Sequence, residues 1–218
     1  MLETVRHELK FYITPLNAAI LEKKLQYMMP YDLNGADGVY NVKSLYFDDF
    51  YDSALNEKID GVEKDPKFRI RIYNNDFNRK KLEMKHKKGD IVTKKSIPIT
   101  DEEYKQFIEC SRTFSHEFPE LGGRILKPKV IISYDRKAYI YEPGNVRITF
   151  DSNIKASRNH QPCLCKPANY VNLPATENIV FEVKYTGLFP LHLKGVFQEA
   201  SVRQSISKYA MGRIAGML

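Results

Sequence analysis

Lys67-Phe-Arg-Ile-Arg-Ile-Tyr73 is the stretch on which the fold turns. Successive side chains of a strand point to opposite faces. Arg69 and Arg71 therefore share one face, and Phe68, Ile70 and Ile72 share the other. Alone, this is the ordinary pattern of a half-buried sheet, with its apolar side covered and its polar side wet. The pattern recurs along the chain with an unusual polar face. Arg6, Glu8 and Lys10 oppose Leu9 and Phe11; Glu83 and Lys85 oppose Leu82 and Met84; Tyr134 and Arg136 oppose Ile131 and Ser133. Arg147, Thr149 and Asp151 oppose Val146, Ile148 and Phe150; Glu182 and Lys184 oppose Phe181, Val183 and Tyr185. These polar faces are almost purely charged, mixing Arg or Lys with single glutamates, and hold few of the Thr, Ser and Gln that fill a solvated face.

Working outward, strands are predicted near 3–13, 40–48, 66–74, 79–88, 91–99, 128–141, 144–152 and 178–186. Gly89-Asp90 and Pro143-Gly144-Asn145 are tight-turn signals, so neighbouring strands form antiparallel hairpins. Eight strands with short connections predict a barrel or strongly curved sheet. The expected class is α+β: an eight-stranded antiparallel β tunnel or barrel with a polar lumen, flanked by helices, in a single domain over 1–218. Thr14 followed by Pro15 opens a helix to about residue 29, with Leu16, Ala19, Ile20 and Leu25 on one face. Thr100 and Glu103 form a capping-box pattern for a helix over 101–110. Further helices are expected over 191–200 and 207–216, with a short one over 51–58. The stretch 155–178, holding Pro162, Pro167 and Pro174, reads as a loop around Cys163 and Cys165.

Composition narrows the class. The 218 residues carry 34 Lys and Arg against 27 Asp and Glu, a formal charge of +7, and 43% are hydrophobic, which describes a globular chain with a core. No apolar run reaches the ~18 residues of a membrane-spanning helix. Residues 1–13 hold no apolar segment followed by a small-residue cleavage site, so secretion is not expected. Cys110, Cys163 and Cys165 are too few for a disulfide scaffold, and the one-residue gap between the last two differs from common zinc and redox spacings. Free thiols in a reducing cytoplasm are the expectation. His7, His86, His116, His160 and His192 have no ligand spacing, so no zinc site is assigned. The positive charge favours a polyanionic partner. No basic patch interleaved with aromatics and no helix-turn-helix pattern is present, so nucleic acid is not expected.

Closing the strands with their charged faces inward places Lys10, Arg69, Arg71, Lys85, Arg136, Arg147 and Lys184 in one lumen. Two cations about 6 Å apart at an effective dielectric near 20 repel by roughly 3 kcal/mol. Seven such groups demand water, counter-anions and a polyanionic ligand. Phosphate chains present many charges at short spacing, and arginine binds them bidentately. Glutamates beside phosphate oxygens imply a shared hard cation, Mg²⁺ or Mn²⁺, with Glu8, Glu83 and Glu182 as candidate ligands. Lys81, Lys87 and Lys88 read as a solvated strand end. Asp48 and Asp49 read as a cap or turn, Asp151 as a partner of Arg147, and Lys67 and Lys208 as steering charges at the tunnel mouth.

Seven short motifs, in order along nearly the whole chain, resemble a known family: Arg6-His-Glu8-Leu-Lys10, Leu45-Tyr-Phe-Asp48, Arg69-Ile-Arg71, Leu82-Glu-Met-Lys85, Arg147-Ile-Thr-Phe-Asp151, Glu182-Val-Lys184 and Ser207-Lys208-Tyr209. They look like the vacuolar transporter chaperone (VTC) domain, the polyphosphate-polymerase branch of the CYTH-like triphosphate tunnel metalloenzymes. The resemblance implies an eight-stranded antiparallel tunnel whose polymerases transfer the γ-phosphate of ATP to a growing polyphosphate chain with a divalent metal, often manganese. It implies phosphate contacts from Lys10, Arg69, Arg71, Lys85, Lys94, Arg136 and Arg147, a metal ligand in Glu182, a tunnel-lining Tyr134, and terminal-phosphate contacts from Ser207 and Lys208. Lys184 joins the substrate-binding set from its place in the lumen. Two positions depart from the family pattern. Arg6 stands where a CYTH signature has the first of two glutamates, and Ser96 stands where an arginine often follows Lys94. The phosphate-sensing and membrane segments of the eukaryotic complexes have no counterpart here, so a membrane protein partner is an expectation. The partners implied are ATP and polyphosphate or another triphosphate. Two other readings stay open: an inorganic triphosphatase of the same fold, and a domain that binds polyphosphate or nucleotide without turning it over.

Overall fold

Alternation dictates a sheet that must cover one face, and the way the sheet closes decides which. In the computed structural model, which describes residues 1–35, 38–62, 64–157, 163–164, 168–173, 178–200 and 203–215, the charged face is turned inward. The strands are β1 (Leu2–Ile13), β2 (Val39–Asp48), β3 (Lys67–Tyr73), β4 (Asp76–Lys88), β5 (Ile91–Pro98), β6 (Lys127–Tyr141), β7 (Val146–Ser157), β8 (Val171–Asn172) and β9 (Ile179–Tyr185). Eight of them run antiparallel in the order β6-β2-β3-β4-β5-β1-β9-β7, and β7 pairs back onto β6 to close the barrel. The two-residue β8 adds to the far end of β7, so part of the expected 155–178 loop is sheet. Pro162, Pro167, Pro174, Cys165 and His160 lie outside the described residues.

Local chemistry explains the turns. β3 and β4 are joined by Asn74 and Asn75 alone, both with positive φ (49° and 59°). Asparagine tolerates that region, and a pair of such residues makes a two-residue hairpin whose twist matches the strands. The predicted boundaries at 74 and 79 missed this turn, because an Asn-Asn pair is a weaker signal than one with glycine. β7 carries a bulge: its register against β6 slips by one residue at Asn153, which has φ 51°. Arg147, Thr149 and Asp151 face the lumen before the bulge. Beyond it, Ile154 and Ala156 turn inward to an apolar cluster.

The helices cover the barrel's outer face and part of its inner one. Thr14 caps α1 (Pro15–Gln26), its hydroxyl accepting the Asn17 N–H at 3.2 Å. Ala18, Leu21 and Leu25 form its buried face, whereas Leu16 and Ala19 are exposed and Ile20 is largely so. The expected face was thus rotated, because apolar residues on both sides of α1 leave the period ambiguous. α1 and the 3-10 segment Leu191–Glu199, expected as an α-helix, cover Phe11, Ile148, Phe150, Phe181 and Val183. α3 (Asp101–Ile108) starts with the full capping box of Thr100 and Glu103. With Phe114 and Phe118 it covers Phe68, Ile70, Ile72, Leu82 and Met84. α4 (Lys208–Ile214) packs on β6 and β7, where Tyr209 and Ala210 join Ile132, Ile154 and Ala156. α2 (Ser53–Ile59) follows Asp48, whose carboxylate accepts the N–H groups of Asp49, Ala54 and Leu55, so Asp48 caps as expected. Among the described residues no helix is long and apolar enough to cross a membrane.

Candidate functional site

The inward faces enclose a cavity of about 300 Å³ lined by fifteen lysines and arginines and four carboxylates. Lys10, Arg69, Arg71, Lys85, Lys94, Tyr134, Arg136, Arg147, Lys184, Ser207 and Lys208 all line it, as do Glu8, Glu83 and Glu182. The predicted set is therefore brought together. Lys81 and Lys87 also line the cavity and are not merely a solvated strand end.

Register sorts the charges into groups. On the β1–β9 wall, Lys10 stands opposite Glu182 and Glu8 opposite Lys184. The Lys10 ammonium lies 3.1 Å from Glu8 Oε1 and 3.6 Å from Glu182 Oε1, and donates to the Ile206 carbonyl at 3.2 Å. Lys85 donates to Glu8 at 2.5 Å, and Lys184 to Glu182 at 2.5 Å. On the β3–β5 wall, Arg69 donates through Nε to Glu83 Oε2 at 2.7 Å and through Nη1 to the Tyr46 hydroxyl at 3.0 Å. Arg136 and Asp151 make a bidentate pair at 2.6 and 2.7 Å. Lys208 adds a third contact to Asp151 at 2.7 Å and sits 4.8 Å from the Tyr134 ring centroid. Asp151 was expected to pair with Arg147. Cross-strand register places Arg136 directly opposite it instead, and Arg147 is held by Asp32 and the Tyr40 hydroxyl. The Ser207 hydroxyl caps α4, accepting the Ala210 N–H at 3.4 Å.

Crowding moves the titrations. Burial and neighbouring Glu182 push the Glu8 carboxyl up, but Lys85, Lys10 and Lys184 outweigh them and bring it down to about 2. Burial likewise opposes ionisation of Glu182 and Glu83. Lys184, Lys10 and Arg136 hold Glu182 well below the usual carboxylate range, and Arg71, Arg69 and Lys94 do the same for Glu83. Burial and repulsion by Lys10 lower the Lys85 ammonium to about 7 despite Glu8. Lys184 is also lowered, by burial first and then by Arg136. Burial pushes the Tyr73 hydroxyl up, but the charge and hydrogen bond of Arg71 together with Lys94 bring it down to about 8.

Sequence reasoning missed three contributors. Tyr46 and Ser44 hold Arg69 and Arg71 from β2, the Ser44 hydroxyl accepting from Arg71 Nε at 3.2 Å. The alternation of Tyr40, Val42, Ser44 and Tyr46 could have shown them, but that face is uncharged. Asp32 lies beyond α1, where no strand pattern points to it. Arg6, placed on the charged face of β1 but not among the predicted site residues, lines the cavity too.

The Glu8–Glu182 pair suits a hard cation. One ammonium already bridges the two carboxylates, and two carboxylate donors beside phosphate oxygens is the set Mg²⁺ commonly takes. Among the described residues no three His, Cys, Asp or Glu side chains converge as a metal site, so the rest of the shell would fall to phosphate and water.

A family model described as the VTC domain matches residues 5–215. No curated protein gives a significant match. Among solved structures, a putative adenylate cyclase from Bacillus halodurans is 15% identical with a TM-score of 0.56, covering 91% of this chain and 89% of that one. A putative adenylyl cyclase from Hippeastrum, described as having a dominant triphosphatase activity, is 14% identical with a TM-score of 0.53, covering 96% and 95%. A protein from Pyrococcus horikoshii is 15% identical with a TM-score of 0.52, covering 94% and 96%. At such identities the likeness shows a shared tunnel fold. With the family match running from the first strand into the last helix, the chain belongs to the VTC domain family.

Proposed function

We propose that this protein is a divalent-metal-dependent phosphotransferase that elongates polyphosphate from ATP in the cytoplasm. The observation that carries the reading is the convergence of cations from most strands of a closed barrel on one lumen. Phosphoryl transfer needs positioning and charge neutralisation more than covalent help. Arg69, Arg71 and Lys94 would grip one stretch of phosphate and Arg136, Arg147 and Lys184 another, aligning the chain's terminal oxygen with the γ-phosphorus. The new P–O bond forms as the bond to the β-phosphate oxygen breaks, and ADP leaves with that electron pair. Glu8 and Glu182 would hold Mg²⁺ or Mn²⁺, which supplies charge neutralisation at the transferring group when bound. The fold likeness to a protein described as a triphosphatase supports a second reading, in which water is the acceptor and the chain shortens.

The deciding measurement gives purified protein ATP with Mn²⁺ or Mg²⁺ and resolves products by gel and phosphorus NMR. Long-chain polyphosphate is expected, with a loss of at least a hundredfold in Arg69→Ala and Glu182→Ala and a retained circular-dichroism spectrum. Orthophosphate alone would establish the hydrolase, and no turnover in any divalent metal would leave a binding domain.

A further inference from the structure

Glu83 differs from the other lumen glutamates in what surrounds it. Its side chain is wholly buried. Oε2 receives both Nε and Nη2 of Arg69 at 2.7 Å, with Arg71 Nη1 at 3.7 Å. The Lys94 ammonium contacts Oε1. The three cations are themselves 14%, 7% and 20% exposed through their side chains, so they stand between Glu83 and the lumen. An entering metal ion would have to break two arginine contacts and a lysine contact here. At Glu8 and Glu182 it would meet mainly ammonium groups, Lys10 and Lys85 on Glu8 and Lys10 and Lys184 on Glu182, with a single Arg136 contact to Glu182 at 3.4 Å. On the neighbouring strand β5, Ser96 stands directly opposite Glu83, and Lys94 is the cation that reaches it from that side. One carboxylate thus serves three cations, leaving a surplus of positive charge turned toward the cavity.

Resting on the reading that the tunnel binds phosphate chains, we propose that Glu83 is a resident counter-anion and positioning residue, not a metal ligand. It holds Arg69, Arg71 and Lys94 in place in the empty tunnel, and its charge offsets part of their pull on phosphate. Two charge effects follow from one residue. Without the carboxylate the empty wall is strained by like-charge repulsion, and a phosphate chain that relieves it binds more tightly.

The test compares the full chain with Glu83→Gln, titrating tripolyphosphate in EDTA by calorimetry, following thermal unfolding with and without it, and measuring Mn²⁺ binding by electron paramagnetic resonance. The variant should bind tripolyphosphate about tenfold more tightly, unfold at lower temperature when empty, and recover most of that loss when saturated. Its Mn²⁺ affinity should stay within twofold of the wild type. Tripolyphosphate affinity that is equal or weaker, or Mn²⁺ affinity at least tenfold weaker, overturns the proposal. A variant soluble only with tripolyphosphate supports it. A variant insoluble in both conditions is replaced by Glu83→Asp, whose retracted carboxylate should give a two- to threefold gain; no gain overturns the proposal. A wild type that ignores tripolyphosphate sinks the phosphate-tunnel reading and this proposal together. One that binds it yet makes no polymer sinks the polymerase reading alone.

Discussion

Lys10 and Lys85 share one oxygen of Glu8, and a single carboxylate cannot fully compensate two half-buried ammonium groups. Lys85 yields, falling to about 7, while Lys10 is pushed above its ordinary range, Glu8 and Glu182 outweighing its burial. Between pH 7 and the ordinary lysine range, the unfolded chain then binds a proton at Lys85 that the folded chain lacks. Stability of the empty protein should rise with pH across that window. Urea unfolding at pH 7 and pH 9 should show a smaller rise in Lys85→Arg, whose guanidinium stays charged. The lumen residues were legible because alternation is a property of each strand by itself. Pairing was not legible: Asp151 was matched to its same-strand neighbour Arg147, whereas its partner Arg136 comes from the adjacent strand.

Elements depend on close approach at a few points. A Cβ on Gly212 of α4 would sit 2.2 Å from Ile132 Cδ1 and 3.2 Å from Ala156 Cβ. Glycine lets the helix backbone lie against β6 and β7, and with it Lys208 reaches Asp151. Gly212→Ala should cost about 1–3 kcal/mol through overpacking, read as a lower urea midpoint with unchanged slope. At α3, Thr100→Ala should cost about 1 kcal/mol through loss of the cap, measured the same way. The caps of α1 and α3 were legible because capping chemistry is local. The 3-10 character of Leu191–Glu199 and the buried face of α1 were not, because packing against the barrel decides them.

The whole molecule is a barrel with most of its apolar packing outside and, within, a charged lumen beside the apolar cluster that α4 joins. Its stability should therefore respond to anions in a way an ordinary core does not. A ligand at a hundred times its dissociation constant adds about 2.7 kcal/mol, or roughly 5–10 °C for a chain of this size. Tripolyphosphate should raise the melting temperature by that order, and sodium chloride of equal ionic strength by far less. Equal shifts would mean general screening and no specific grip. Eight strands, antiparallel pairing and a polar lumen were all legible, because burying seven charges without a shared interior is untenable.

The bulge at Asn153 sets a rule of parity for this architecture. Along a barrel strand, an odd insertion exchanges binding groups for packing groups, while an even one preserves both. β7 uses its one extra residue to change assignment midway, offering charge to the cavity and then methyl groups to α4. Deleting Asn153 would restore an unbroken two-residue rhythm and leave Ile154 and Ala156 facing inward, whereas a regular strand that kept Asn153 would aim them away from the helix that needs them. In that second case the interior would lose its C-terminal wall without losing a single cation.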